Sequence, residues 1–170
     1  MPIETCADSI NIQKAFFSAS YSDMAQTATA IIALLIAIYT IYNHTKYLKK
    51  SKTAEMLLSL NDNQRLFEGI DAIHKIHLSG QNIDQLADRC FVDSVEAKLI
   101  RYTLNHFERV AACVEEGIYN EKLIAKTQGS RIIKLYEITE PYISRIRIET
   151  DSKLAYSNFE ILAKRMRNLA

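Results

Sequence analysis

The sequence predicts an all-α protein: one N-terminal membrane-spanning helix followed by a single helical bundle. Three observations predict it. An uncharged run, MAQTATAIIALLIAIYTIYNHT, fills residues 24–45 between Asp23 and a cluster of Lys46, Lys49, Lys50 and Lys52. The rest of the chain has little strand-like alternation and sustained helical periodicity. Breakers are scarce, with four glycines and two prolines in 170 residues, so each one marks a boundary worth reading.

At helical rise the run of about 22 residues extends roughly 33 Å, enough to cross a hydrocarbon core of about 30 Å. Ile31 to Ile38 is apolar all round, whereas a buried helix of a soluble protein normally keeps a polar face. A cleaved signal peptide fits poorly, because the run starts late, basic residues follow it, and no Ala-x-Ala site lies beyond it. The leader carries Glu4, Asp8, Asp23 and only Lys14, so the positive-inside rule places the lysine-rich side in the cytoplasm. The expected organisation is an extracytoplasmic leader over 1–23, a span over 24–45 and a cytoplasmic helical domain over 46–170.

Within the span, Gln26, Ala30, Ala33, Ala37, Thr40 and His44 alternate steps of four and three and share one side of the helix. Leu34, Leu35, Ile38, Tyr39, Ile41 and Tyr42 cover the rest, with the tyrosines near the inner interface. A small-residue stripe lets helices approach closely in lipid, which requires only a homo-oligomer. A ring of copies would turn the same stripe toward a water-filled lumen, with Gln26, Ala30, Ala33, Ala37 and Thr40 as its lining.

Beyond the span, residues 46–60 extend the helix inward, and Asn61, Asp62 and Asn63 break or cap the chain before a helix over 64–78 that Ser79 and Gly80 end. Residues 80–84 are the most loop-like. Asp93 with Glu96 reads as a capping box opening the longest amphipathic segment, 94–116, which Gly117 terminates. Its expected inner face is Val95, Leu99, Thr103, His106, Val110 and Val114. A short helix capped by Asn120 runs to Gly129, another begins at Ser130, and Pro141 interrupts or kinks it before 142–148. The last helix, 154–169, buries Leu154, Phe159, Leu162 and Met166 and carries Lys164, Arg165 and Arg167 outside. About 125 residues suffice to close one core.

A net charge of +1 argues against a general electrostatic nucleic-acid binder but leaves room for a local basic patch, so direct RNA binding stays open. Cys6, Cys90 and Cys113 are odd in number and widely spaced, which indicates neither a disulfide framework nor a zinc motif. Glycine-rich phosphate loops, His-Glu-x-x-His and nucleophile elbows are missing, so no cofactor and no metal is expected. His74 and His77 stand three apart on one helix, but no third ligand has suitable spacing. The arrangement with a chemical reading is Arg101-Tyr-Thr-Leu-Asn-His106, which fits a metal-independent ribonuclease using His as acid or base and Arg as charge stabiliser. At about 100° per residue the two side chains point roughly 140° apart, with His106 on the apolar face and Arg101 on the solvated one. A dimer could bring the Arg of one copy to the His of another; a structural His and a surface Arg are the simpler reading.

An N-terminal span followed by a small helical bundle containing Arg-x-x-x-x-His resembles the membrane-anchored accessory protein of type VI-B CRISPR systems, a relative of the HEPN helical family. The segments LNHFERVAACVEEGIYNEKLI, PYISRIR and NFEILAKR are similar to an uncharacterised bacterial family of domain-of-unknown-function proteins, which supplies no activity. The CRISPR resemblance implies a HEPN-like fold, without proven nuclease function, in a protein of the bacterial inner membrane; the lysine-rich side of the span puts its N-terminus outside and its bundle in the cytoplasm. The resemblance further implies a ring-shaped pore that permeabilises the membrane in antiphage defence and is coupled to an RNA-guided ribonuclease. Active HEPN motifs usually place a polar residue directly after the Arg, where this chain has Tyr102, which counts against cleavage. The expected functions are therefore an oligomeric pore first, a membrane-tethered HEPN-type ribonuclease using Arg101 and His106 second, and a non-conducting anchor for a cytoplasmic partner third.

Overall fold

In a computed structural model, the backbone is described over residues 4–88 and 90–169, and the side chains at Tyr21 and from Asp23 onward within those limits. The described residues form five α-helices: α1 (Glu4–Asn61), α2 (Gln64–Leu78), α3 (Val95–Glu115), α4 (Glu121–Glu149) and α5 (Ser157–Leu169). A short 3-10 helix, Ile83–Ala87, lies between α2 and α3, and no strand occurs among the described residues. The protein is all-α, as its periodicity predicts. The chain divides into two compact units, Met1–Lys46 and Tyr47–Ala170.

In the first unit, every described side chain from Asp23 to Lys46 is exposed, including Ile31 (59%), Leu34 (61%) and Leu35 (61%). Asp23–Asn61 is long and apolar enough to cross a membrane, and none of the described residues covers its most apolar stretch. Its threonine hydroxyls are satisfied locally. Thr27 Oγ1 donates to the Met24 carbonyl (2.9 Å), Thr29 to Ala25 (2.7 Å), Thr40 to Ile36 (2.8 Å) and Thr45 to Ile41 (2.8 Å). The side chains of Glu4, Cys6, Asp8 and Lys14, on which the leader was read, lie outside the described residues.

In the second unit, each helix end follows from local chemistry. Asn63 Oδ1 accepts the Leu66 N–H (3.1 Å) and caps α2, whose apolar face buries Leu66, Gly69, Ile70, Ile73 and Ile76. The expected loop holds over Gly80, Gln81 and Asn82, and from Ile83 the chain winds into the 3-10 helix, because Ile83 and Ala87 both reach the core. Ser94, not Asp93, caps α3: its hydroxyl accepts the Ala97 N–H (3.1 Å), while Asp93 stays exposed and pairs with Lys98 (3.4 Å). Gly117 terminates that helix with φ +66°, a conformation that favours glycine.

Three further expectations are corrected. The inner face of α3 is centred on Ala97, Ile100, Leu104, Phe107 and Ala111 together with the expected Thr103, Val110 and Val114. Val95 is 68% exposed and Leu99 half-buried, because α3 is packed by both α2 and α5 and its bulkier stripe turns inward. The segment after Asn120 is one helix, not three: α4 runs unbroken through Gly129 and Pro141. Pro141 is exposed, so water can satisfy the carbonyl it frees, while Tyr142 and Ile143 beside it are anchored in the core. Finally, α5 begins at Ser157, and Leu154 is 78% exposed because the preceding turn carries it outward.

The core of the bundle gathers Ile73, Ile100, Leu104, Ile124, Ile132, Leu135, Tyr142, Leu162 and Met166 around Phe159. Phe159 stacks on Phe107 with centroids 5.5 Å apart and meets Tyr136 edge-on at 5.7 Å. The end of α1 joins this core through Met56 and Leu60. Surface ion pairs lace the outside, among them Arg145–Asp88 (2.8 Å), Arg147–Glu160 (2.8 Å), Arg165–Glu115 (2.8 Å) and Arg167–Glu137 (2.7 Å). The expected outward basic face of α5 is thus largely paired.

Candidate functional site

The apolar amphipathic face of α3 turns most of its residues into the bundle, which leaves the His106 edge facing the last turns of α1. There the two helices border a cleft of about 660 Å³. Met56, Val110 and Ile118 give it apolar walls, and Lys52, Glu55, Ser59, His106, Arg109, Cys113 and Tyr119 supply polar groups. Lys52, Glu55 and Arg109 are exposed, and no ion pair forms at Lys52 or Arg109 among the described residues.

His106 is half-buried, and its Nε2 is buried with no hydrogen-bond partner. The ring lies edge-on to Phe107, with centroids 5.5 Å apart. Burial, and then the positive charge of Arg109, hold its pKa below the ordinary imidazole value. Across the same cleft, burial followed by the neighbouring Cys113 and Glu55 pushes the Tyr119 hydroxyl up.

Arg101 occupies a different environment. It is half-buried rather than solvated, and its Nη2 donates to the carbonyl of Val92 just ahead of α3. Burial pushes the Tyr142 hydroxyl up to about 12, and that of Tyr156 up as well, with the Arg101 charge opposing both. Within one chain, then, Arg101 serves the Val92 turn and the tyrosines, whereas His106 serves the cleft. Tyr102 is committed too, its hydroxyl exchanging hydrogen bonds with Asn63 (3.1 and 3.2 Å) while Arg65 lies over its ring at 4.8 Å.

The helical run that carries the stripe residues Gln26, Ala30, Ala33, Ala37 and Thr40 leaves all five exposed. His74 is half-buried and His77 exposed, and the described residues hold no group of three or more His, Cys, Asp or Glu able to share a metal.

The model of one protein family, Domain of unknown function (DUF4760), matches residues 27–166. The chain belongs to the DUF4760 family. The match begins inside the apolar run and ends within α5, so the DUF4760 domain takes in the exposed apolar helix, the cleft and the whole helical core together. No curated protein and no solved structure matches the chain. His106 stands out in the sequence and Arg109 does not, although a spacing of three puts both on one helical face and is the signal for the pair.

Proposed function

We propose that this DUF4760 protein is a single-span protein of the bacterial inner membrane, N-terminus outside and bundle in the cytoplasm, that works as a homo-oligomeric ring. In this reading the spans meet along Gln26, Ala30, Ala33, Ala37 and Thr40 and line a pore. Its carrying observation is the exposed apolar helix: Ile31, Ile32, Leu34, Leu35, Ile36 and Ile38 are each more than half exposed, a surface that only lipid or other copies can cover. The family match supports it further, since the apolar helix belongs to the same domain as the bundle rather than being an appended anchor. The resemblance to the type VI-B accessory protein supplies the setting, permeabilisation of the membrane in antiphage defence alongside an RNA-guided ribonuclease, with a HEPN-like bundle as the regulated part.

A non-conducting anchor is the second reading, and one observation favours it. The Thr27, Thr29, Thr40 and Thr45 hydroxyls are already satisfied by their own helix, so of the stripe only Gln26 and His44 call for water or a partner. A ribonuclease built on Arg101 and His106 has less support, because the two serve separate surroundings within one chain. The deciding experiment replaces Ala33 or Thr40 with Leu and follows membrane depolarisation in cells expressing the protein. The pore predicts that either substitution abolishes depolarisation at unchanged membrane level, with Leu34→Ala as the neutral control. Depolarisation that persists unchanged removes the lining assignment.

A further inference from the structure

The cleft between the last turns of α1 and α3 combines features that a pore does not use. Most described arginines are committed: Arg65 lies over Tyr102, Arg101, Arg145, Arg147 and Arg167 donate hydrogen bonds, and Arg165 pairs with Glu115. Arg109 and Arg131 make no such contact, and Arg109 faces the cleft. Lys52 faces it from α1, also without an acidic partner within ion-pair distance among the described residues. The apolar walls, Met56, Val110 and Ile118, stand beside these two cations, and the cleft volume of about 660 Å³ falls within the range of roughly 300–1,000 Å³ common to small-molecule sites.

Two unpaired cations of different type over an apolar wall suit an anion carried by a partly apolar molecule. Arg offers a planar fork for two oxygens and Lys a mobile point charge, the combination that recognises a phosphate ester. Glu55 in the same cleft sets the selectivity, because it opposes a second negative charge beyond the one the cations hold. Lys52 follows the end of the expected span closely along the chain, so a phospholipid headgroup is one source of such a phosphate and a free phosphate the other.

We infer that the cleft binds a phosphate group, with Lys52 and Arg109 as its ligands from opposite helices and Met56, Val110 and Ile118 against the apolar part of the molecule. The site holds whether or not the spans conduct. His106, beside Arg109, is its reporter: an anion placed there offsets the Arg109 charge and raises the imidazole pKa.

The test uses the full-length protein in a neutral maltoside detergent, titrated with dihexanoyl-phosphatidylglycerol, dihexanoyl-phosphatidylcholine and inorganic phosphate by calorimetry. Histidine-selective NMR follows His106 in parallel. Saturable binding of phosphatidylglycerol alone identifies a headgroup site, and equal binding of inorganic phosphate identifies a free-phosphate site. In either case Arg109→Gln and Lys52→Gln each weaken binding about tenfold or more, the loss of one charge-assisted hydrogen bond, while Arg131→Gln leaves it unchanged. Glu55→Gln tightens it, and the His106 titration moves upward on binding. Circular dichroism confirms that each variant is folded, and the exposed Lys52 position keeps the test available should Arg109→Gln unfold. No saturable binding of any probe, lipid binding that neither Arg109→Gln nor Lys52→Gln weakens, or equal losses in Arg109→Gln and Arg131→Gln overturns the assignment.

Discussion

The hydroxyl of Thr53, in the buried part of α1, accepts the backbone N–H of Asn120 at 2.7 Å and donates to the Lys49 carbonyl at 2.7 Å. Asn120 is the residue whose side chain caps α4 by accepting the Leu123 N–H at 3.0 Å. One fully buried polar atom therefore ties the end of α1 to the start of the longest helix in the bundle. Thr53→Val keeps the shape and strands the Asn120 N–H, and the expected loss is about 1–3 kcal/mol. Thr53→Ser restores most of it. Denaturant midpoints of the three proteins check this; a Val variant as stable as the parent would mean that the Asn120 N–H finds another partner.

Two glycines in helix interiors respond in opposite directions to the same substitution. At Gly69 a Cβ would lie 2.1 Å from Thr103 Oγ1 and 2.8 Å from the Leu99 carbonyl oxygen, so α2 and α3 pack backbone to backbone there. Gly69→Ala forces the helices apart and is expected to cost about 1–3 kcal/mol. Thr103→Ala in that background recovers only part, since the Leu99 carbonyl remains in the way. At Gly129 a Cβ meets nothing within 4 Å, so Gly129→Ala is expected to stabilise by about 0.5–1 kcal/mol through helix propensity. Thermal melts of the two single variants should shift in opposite directions, and a shared direction would show that one helix relaxes around its site.

His106 makes stability depend on pH. Burial, then Arg109, holds its folded-state pKa below the ordinary 6.5. Above that value the ring is neutral whether the chain is folded or not. As pH falls through 6.5 the unfolded chain takes up a proton that the folded chain refuses, so stability declines until the lower folded-state value is passed. His106→Gln removes this contribution. Between pH 7.5 and pH 5 the parent should lose more stability than the variant in urea titrations, and equal losses would assign the acid sensitivity to other groups.

Much of this fold is legible in the sequence because its signals are local. The bounds of α2, the stop at Gly117 and the cap at Asn120 all depend on residues a few positions apart, and each stands where the residue types put it. What the sequence hides depends on packing from elsewhere. Pro141 and Gly129 read as breaks, yet burial of Ile132, Leu135, Tyr142 and Ile143 carries α4 through both. Val95 and Leu154 read as core, but tertiary neighbours choose the adjacent stripe in one case and a turn removes the other. For the site, His106 is legible as an inward-leaning polar residue, whereas its cleft takes its lining from α1 as well as α3, from segments far apart in the chain whose meeting no local spacing encodes.

Glu108 provides the remaining testable contact, because α5 borrows its cap from another helix. The carboxylate reaches from α3 to accept the Asn158 N–H (3.2 Å) and side-chain amide (2.9 Å) on Oε1 and the Phe159 N–H (2.8 Å) on Oε2. It takes the place of a capping side chain from the segment just before α5, where Tyr156 stands at φ +58°. The same bonds hold Phe159 in register for its stack on Phe107. Hydrogen bonds to a charged group are worth about 1.5–3 kcal/mol, so Glu108→Ala should cost at least that and loosen α5. Glu108→Gln keeps one acceptor and is expected to lose roughly half. Hydrogen exchange at Asn158 and Phe159 separates this from a general destabilisation: in Glu108→Ala those amides should lose protection more than the amides of Ile73 and Ile76 in α2. A uniform loss across both helices would place Glu108 in the core's global stability and not in the cap of α5.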